Sequence, residues 1–244
     1  MNSHDLSSQK QLQDLLTDTQ TLVGYLNDPL VRIVDVGPYD GYLKAHIPGS
    51  VNLAQYYIKN PTDDRYVMQP DQFSDLMVDL GIGNESHVVI YDHNFSLYSA
   101  RLWWVLDYYG HTRMSILNGG WLAWLKSGGS IASGPGSYNK GKSFIALADP
   151  DKICLMDEVS DAIGNSDIVL WDVRTYQEYT GDNSIPLRPS QRRANKKFGH
   201  IPGAIHTEWK DVMDPDTQRF KTLDEISRIL SLVGVTPDKK VITY

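Results

Sequence analysis

The residue types that could do acid–base chemistry occur in pairs along this sequence. Asp35 and Asp172 each end an apolar run, and His46 and His200 each begin the tetrapeptide His-Ile-Pro-Gly. A carboxylate or an imidazole can move protons, but an aspartate before a turn more often accepts hydrogen bonds from the loop. A catalytic histidine would be needed only once. The repetition therefore favours a structural role for both histidines, and the turns favour one for both aspartates.

Cys154 is the single cysteine and the one thiol available as a nucleophile. Apolar residues flank it, and neither a glycine-rich loop nor a helix start follows it, so a structural role is favoured. The seven histidines are scattered, which predicts no metal site. The pair Gly81 and Gly83 follows a predicted helix rather than a strand, which argues against a dinucleotide site. We expect no cofactor.

The paired residues belong to two copies of a longer pattern. Each copy has an apolar run, the His-Ile-Pro-Gly loop, an amphipathic helical stretch, a glycine and a β-branched run. The first copy places these at Val31–Val36, His46–Gly49, Phe73–Leu80, Gly81 and Val88–Tyr91, and the second at Ile168–Val173, His200–Gly203, Leu223–Val233, Gly234 and Val241–Tyr244. Such self-similarity marks an internal duplication. Strands that alternate with helices predict two α/β domains, each with a mainly parallel sheet flanked by helices.

Composition shifts suggest the domain limits. We predict a first domain at residues 1–132, a Gly/Ser/Pro-rich linker at 133–145 and a second domain at 146–244. A first helix is predicted over Leu12–Asn27. The second copy carries a basic insertion, Asp182–Phe198, for which a solvated loop is the favoured interpretation. A cationic rim that attracts an anionic substrate is the alternative.

The bulk properties exclude several classes of protein. The chain has 244 residues, 41% of them hydrophobic, and a net charge of −7, so we expect no general affinity for nucleic acid or membranes. The first 20 residues lack the apolar core of a secretory signal. One cysteine cannot form an intrachain disulfide, which predicts a reducing, cytoplasmic location.

The two copies differ after their last β-branched run. In the first copy Asp92 follows Tyr91, and a predicted helix, strand and helix come next. The second copy reaches Tyr244, so by the register of the repeat roughly 40 residues have no counterpart. We therefore expect the second domain to be incomplete, at the edge of the sheet where open parallel sheets bind ligands.

These motifs resemble the two-domain rhodaneses, which are thiosulfate and 3-mercaptopyruvate sulfurtransferases. The resemblance runs from about Val31 to Tyr244 and is specific in three places. These are His46–Gly49, the stretch from Trp103-Trp104 to Leu117-Asn-Gly-Gly-Trp121, and the stretch from Trp171-Asp172-x-Arg174 with Glu178-Tyr179-x-Gly181 to His200–Ala204. The resemblance implies tandem rhodanese-like domains, of which the first is an inactive copy with Asp92 at the cysteine position.

The resemblance also implies the site residues. The catalytic cysteine is expected immediately after Tyr244, so no catalytic residue is present in these 244 residues. Tyr98, Trp209 and Arg174 are the candidate substrate-pocket residues, although core packing accounts equally well for Tyr98 and Trp209. For Arg174, an ion pair with Glu178 at i, i+4 spacing is the simpler interpretation.

The activity implied is transfer of a sulfane sulfur from a small anionic donor, thiosulfate, to cyanide or a thiol through a cysteine persulfide. The chain of 244 residues itself is expected to be inactive. Glu178 stands where mercaptopyruvate enzymes carry an arginine, which makes 3-mercaptopyruvate the weaker donor. Two rival hypotheses are a non-catalytic binding module, such as a truncated pseudoenzyme, and a phosphatase with a related cysteine loop.

Overall fold

The structure, a computed structural model, describes residues 15–54, 58–63, 65–182 and 198–244. These residues form two compact units. The first comprises Met1–Lys152 with Pro215–Phe220, and the second comprises Ile153–Asp214 with Lys221–Tyr244. Most of the basic insertion, residues 183–197, lies outside the described residues. Among the described residues, no helix is both long and apolar enough to cross a membrane.

The first unit is built on a parallel sheet of five strands in the order β1-β5-β4-β2-β3. The strands are β1 (Leu16–Thr17), β2 (Val31–Asp35), β3 (Val51–Asn52), β4 (His87–Tyr91) and β5 (Met114–Leu117). Four helices connect them, and a fifth follows β5: α1 (Thr19–Tyr25), α2 (Tyr39–Lys44), α3 (Pro70–Asp79), α4 (Leu97–Tyr108) and α5 (Gly120–Lys126). The predicted α/β class with parallel sheets is confirmed.

The sheet of the first unit is covered on both faces because alternate residues of its strands point to opposite sides. In the central strand, Val88 and Ile90 join one buried cluster, whereas Val89 and Tyr91 join the other. The first cluster includes Phe73 of α3, and the second includes residues of α1 and α5. Both faces of β4 are therefore shielded from solvent, which explains why its sequence is continuously apolar.

The helix predicted over Leu12–Asn27 is wrong within its described part. Leu16–Thr17 forms strand β1, which pairs in parallel with β5, and the helix begins only at Thr19. The reason is Asp18, whose side chain accepts a hydrogen bond from the backbone N–H of Thr21 and caps α1. The apolar residues whose spacing suggested one helix belong to two elements, strand β1 and helix α1.

The segment predicted as a linker lies against the first unit. The backbone N–H of Gly141 donates to the carbonyl oxygen of Val78 at 2.8 Å, and Phe144 is buried in the core cluster. A turn of 3-10 helix at Pro150–Lys152 follows, and Lys152 forms an ion pair with Asp107 of α4. The domain limits stay a prediction.

The second unit repeats the middle of the first. Its described parallel strands lie in the order β7-β6-β8, as β3, β2 and β4 do in the first unit. A small core cluster contains Leu170 and Ile242 from neighbouring strands. The elements are β6 (Ile168–Asp172), β7 (Ile205–His206), β8 (Lys240–Thr243), α6 (Met156–Ala162), α7 (Tyr176–Thr180) and α8 (Leu223–Leu232).

Candidate functional site

The carboxylate of Asp92 fills a cradle of backbone N–H groups at the carboxyl end of β4. Its Oδ1 accepts hydrogen bonds from the backbone of Asn94 at 2.8 Å and of Ser96 at 3.1 Å. Its Oδ2 accepts from the backbone of Tyr98 and of Ser99, both at 2.9 Å. Asp92 is only 2% exposed. Four inward N–H groups at the start of a helix form an anion site, and the chain's own carboxylate occupies it.

The shape of this loop is fixed from both sides. Phe95 and Ser96 have φ of 52° and 57°, so two successive residues adopt the left-handed conformation. The Ser96 N–H then donates to Asp92, whereas the Phe95 N–H donates to Oε1 of Gln218 at 3.4 Å. On the other side, the Asp92 carbonyl accepts a hydrogen bond from the backbone of Trp121 at 2.9 Å. A Cβ added at Gly120 would lie 2.4 Å from that carbonyl oxygen, so only glycine fits there.

Tyr244 occupies in the second unit the place that Tyr91 occupies in the first. The hydroxyl of Tyr91 accepts a hydrogen bond from the backbone N–H of Ile47 at 3.1 Å. The hydroxyl of Tyr244 accepts the matching bond from Ile201 at 3.0 Å. Each tyrosine therefore ties the end of its strand to its own His-Ile-Pro-Gly loop.

The two repeated histidines have the same contact in both units. The ring of His46 stacks on Tyr42 with 3.9 Å between centroids, and His200 stacks on Tyr179 at the same distance. The Nδ1 atoms lie 2.7 and 2.8 Å from the carbonyl oxygens of those tyrosines. A carbonyl only accepts, so we assign the proton to Nδ1 in both rings. The same contacts in both units agree with the structural role predicted for the histidines.

Asp172 and Arg174 form a partly buried ion pair at the carboxyl end of β6. Asp172 is fully buried, and its Oδ1 accepts from the backbone N–H and the Nε of Arg174, both at 3.0 Å. Its Oδ2 accepts from Nη2 of Arg174 at 2.5 Å. Burial by itself opposes ionisation, but the bonds from Arg174 outweigh it and hold the pKa of Asp172 below its ordinary value. The arginine also donates to the carbonyl oxygen of Gly199 at 2.9 Å.

The ion pair predicted between Arg174 and Glu178 is wrong. Glu178 Oε2 instead accepts from the backbone N–H of Thr175 at 3.1 Å and from its hydroxyl at 2.7 Å. This capping box begins helix α7 and uses the carboxylate at its first turn. Arg174 precedes the helix, so the i, i+4 geometry of a helix surface does not apply to it.

The first unit lacks the arginine of this pair. Gly37 stands at the position of Arg174, and its backbone N–H donates to Asp35 Oδ1 at 2.7 Å. Asp35 Oδ2 is buried and has no hydrogen-bond partner among the residues that the structure describes, and Nε2 of His93 lies 3.6 Å away. A Cβ added at Gly37 would lie 3.2 Å from the His93 ring. An imidazole thus stands beside Asp35 where a guanidinium stands beside Asp172.

The three predicted pocket residues fall in different units. Arg174 and Trp209 belong to the second unit, where the backbone N–H of Trp209 donates to the carbonyl oxygen of Val173 at 3.1 Å. Nζ of Lys210 lies 4.7 Å from the centroid of the Trp209 ring. Tyr98 belongs to the first unit, where its side chain packs against the core cluster. Their assignment to one substrate pocket stays a prediction.

Helix α6 begins at Met156, two residues after Cys154, so the expectation that no helix start follows this cysteine is wrong. The thiol is nevertheless not activated. It is half-buried against the core of the second unit, and its Sγ lies 3.9 Å from the carbonyl oxygen of Leu155. Burial, and then the charge of Glu158, raise the pKa of this thiol. The described residues contain no group of three side chains suited to holding a metal ion.

Sequence reasoning overlooked the two tyrosines at the strand ends. The signal was present, because Tyr91 and Tyr244 close the same β-branched run in both copies. A polar side chain repeated at one position of an internal duplication indicates a contact common to both domains. Here that contact is the hydrogen bond to the His-Ile-Pro-Gly loop.

Known proteins share both the sequence pattern and the fold. The model of the rhodanese-like domain matches residues 9–127 and 155–244. A thiosulfate sulfurtransferase of Azotobacter vinelandii is 29% identical over 232 residues, which cover 94% of this chain and 82% of the relative. A sulfur carrier protein of Thermus thermophilus is 29% identical over 242 residues, with 95% and 82% of the two chains covered.

Solved structures share the fold. The Escherichia coli protein SseA, from a study of 3-mercaptopyruvate sulfotransferases, superposes with a TM-score of 0.83 at 24% identity over 95% of this chain and 88% of that one. An anaerobic ergothioneine biosynthesis enzyme from Chlorobium limicola superposes with a TM-score of 0.78 at 22% identity, over 96% and 61% of the two chains. At these identities the likeness shows the fold alone.

Proposed function

Because the chain belongs to the rhodanese-like domain family, we propose that it is a sulfurtransferase of the thiosulfate type. Its donor is a small anion with a sulfane sulfur, and its acceptor is cyanide or a thiol. The curated relatives named for thiosulfate sulfur transfer support this choice. Its place of action is the cytoplasm, where thiols stay reduced.

The observation that carries the proposal is the equivalence of Tyr91 and Tyr244. The residue after Tyr91 is Asp92, whose carboxylate lies in the N–H cradle. We infer that a cysteine after Tyr244 occupies the same kind of cradle as a thiolate, because N–H groups at a helix start lower a thiol pKa. A carboxylate carries no sulfane sulfur, so Asp92 makes the first copy inactive.

Each step of this reaction balances. The thiolate attacks the outer sulfur of thiosulfate, the S–S bond breaks, and sulfite leaves with the bonding electrons. The persulfide then passes its outer sulfur to cyanide, which yields thiocyanate and restores the thiolate. Arg174 and Trp209, both in the second unit, are the proposed contacts of the anionic donor. Arg174 supplies the positive charge.

Glu178 favours thiosulfate over 3-mercaptopyruvate as the donor. Glu178 is an anion whose carboxylate accepts hydrogen bonds from Thr175, so this position offers no positive charge to the carboxylate of 3-mercaptopyruvate. We expect kcat/KM for thiosulfate to exceed that for 3-mercaptopyruvate by about tenfold or more, as loss of one charge-assisted contact implies. Equal values for the two donors would contradict this choice.

The test compares two polypeptides. One consists of residues 1–244, whose single cysteine has a raised pKa, and it is expected to form no thiocyanate from thiosulfate and cyanide. The other continues after Tyr244 through a cysteine loop, and its matched control carries alanine for that cysteine. We expect turnover and a mass increase of one sulfur atom only with the cysteine.

Two results would overturn the proposal. Turnover by residues 1–244 that is abolished by Cys154→Ser would make Cys154 the nucleophile. A folded protein with the cysteine loop that takes up no sulfur would instead favour the non-catalytic binding module.

A further inference from the structure

A cleft of about 670 Å³ opens in the first unit at the edge of the sheet opposite to Asp92. It lies near the starts of β2 and β4, whereas Asp92 follows the end of β4. Strands of five residues separate the two edges by about 16 Å. Three cationic side chains are among the residues that line the cleft, Arg32, Lys140 and Lys142.

One wall of the cleft is the segment 138–143, which the protein holds in place. The backbone N–H of Gly141 donates to the carbonyl oxygen of Val78 at 2.8 Å, and that of Asn84 donates to Ser143 at 3.0 Å. A Cβ added at Gly141 would lie 2.6 Å from the carbonyl oxygen of Ile82. The backbone of the wall thus packs too tightly for a side chain there, and the cleft is preformed.

Arg32 brings a half-buried positive charge to this cleft. Its Nε donates to the carbonyl oxygen of Gly81 at 3.3 Å, and its Cζ lies 6.0 Å from the centroid of the Tyr138 ring. Burial lowers the pKa of the guanidinium. Within the described residues, no carboxylate pairs with Arg32, and its two terminal nitrogens have no hydrogen-bond partner. A guanidinium has five N–H donors, so most of the fork is available to a ligand.

The other charges around the cleft leave it positive. Lys142 has no ion-pair partner in the part of the chain that the structure describes. Lys140 pairs with Asp79 at 2.5 Å, but both side chains are largely exposed, so a ligand competes for this lysine at little cost. Glu85 is the opposing carboxylate in the lining. This positively charged cleft contrasts with the net charge of −7 of the whole chain.

We propose that this cleft binds a small organic molecule through a phosphate or sulfate group, which the terminal nitrogens of Arg32 and the ammonium of Lys142 hold. A tetrahedral oxyanion accepts parallel bonds from a guanidinium fork, and the half-buried Arg32, which has no carboxylate partner among the described residues, leaves its fork available. The volume exceeds that of an inorganic anion and falls in the range of small-molecule pockets. The organic part lies against Tyr138. This site does not depend on sulfur transfer.

The test titrates the protein of residues 1–244, labelled with ¹⁵N, with inorganic phosphate and separately with sulfate. The backbone amides of Gly81, Gly83 and Gly141 report on the cleft. We expect these signals and the Nε–H signal of Arg32 to shift and saturate, and the affinity to fall with added salt. Arg32→Gln is expected to weaken binding by about tenfold, as loss of a bidentate charged contact implies.

Matched variants separate the site from general charge effects. Arg65→Gln removes the same charge from an exposed ion pair with Asp63 outside the cleft and should leave binding unchanged. Lys142→Gln, which changes an exposed side chain and so preserves the fold, should weaken binding by about two- to fivefold. Glycine signals that do not move, or affinities that are equal for all three variants, would overturn the proposal. An anion bound only near Asp92 would also overturn it.

Discussion

The guanidinium of Arg174 lies over the ring of Tyr244, with its Cζ 5.2 Å from the ring centroid. The same arginine bonds both carboxylate oxygens of Asp172. It thus joins the ends of β6 and β8, the strands between which a ligand at the sheet edge would bind. In the first unit, His93 stands beside Tyr91 and Asp35 instead. The two copies therefore differ in the group next to a shared aspartate, a guanidinium in the second unit and an imidazole in the first.

Removal of this arginine should destabilise the second unit. Arg174→Ala leaves the carboxylate of Asp172 fully buried without its cation, and loss of one partner from such a pair costs about 3 kcal/mol. The measurement is urea unfolding followed by the indole N–H signals of Trp171 and Trp209, which belong to the second unit.

Arg174→Lys is the control for charge alone. A lysine keeps the charge but cannot bond both carboxylate oxygens and Gly199 at once, so we expect about half of the loss to remain. Full stability with lysine would show that charge, rather than the guanidinium fork, holds Asp172.

The duplicated pattern predicts the parallel sheets because buried parallel strands are continuously apolar on both faces. Val31–Asp35 and His87–Tyr91 agree closely with their predicted limits. Strand β1 was missed because two residues have no periodicity of their own, and its pairing with β5 decides their conformation. Local pattern cannot reveal such a distant partner.

The candidate site was likewise predictable from the sequence only in part. The repetition of His46 and His200 reveals their structural role, since both copies need the same loop. The partner of Arg174 is not decided by spacing, because Thr175 bonds the carboxylate of Glu178 and Asp172 bonds the guanidinium of Arg174. The cradle around Asp92 needs two left-handed residues, Phe95 and Ser96, whose types give no sign of that conformation.

Asp92 should be essential to the stability of the first unit. Asp92→Asn turns one acceptor oxygen into an N–H₂ group that faces two of the four donors, and Asp92→Ala leaves all four N–H groups, which are buried or partly buried, unpaired. We expect losses of about 2 kcal/mol for asparagine and about 4 kcal/mol for alanine, measured by urea unfolding. Asp75→Asn, on the exposed face of α3, is the matched control and should change stability by less than about 0.5 kcal/mol.

The stability of the first unit should fall on mild acidification. His111 is only 5% exposed, and its burial lowers its pKa. The pKa of His87 is also lowered, mainly by burial and to a smaller extent by the positive charge of Arg113. Their neutral forms favour the folded state, so this contribution is complete above about pH 6.5 and is lost as the pH falls through the folded-state pKa. Urea midpoints measured from pH 7.5 to 5 test this.

His111→Gln is expected to flatten this pH dependence, by about 1.4 kcal/mol per pH unit at most, which is the limit for one proton. The variant also loses the contact with the Phe144 ring, so the slope against pH, rather than the absolute stability, is the relevant quantity. A slope that is identical in the variant and the parent would show that His111 does not titrate with unfolding.

A cysteine placed in the cradle should become an acidic thiol. In Asp92→Cys combined with Cys154→Ser, the one cysteine faces the N–H groups that now bond the carboxylate. We expect its pKa to lie about 1 to 3 units below the ordinary value of about 8.5, as for thiols at helix starts. The unmodified protein is the matched comparison, since its one cysteine, Cys154, has a pKa raised by burial. The rate of alkylation by iodoacetamide from pH 5 to 10 gives both values. If the introduced thiol of the folded variant titrates at or above about 8.5, the cradle does not stabilise a thiolate, and the inference about the residue after Tyr244 loses its basis.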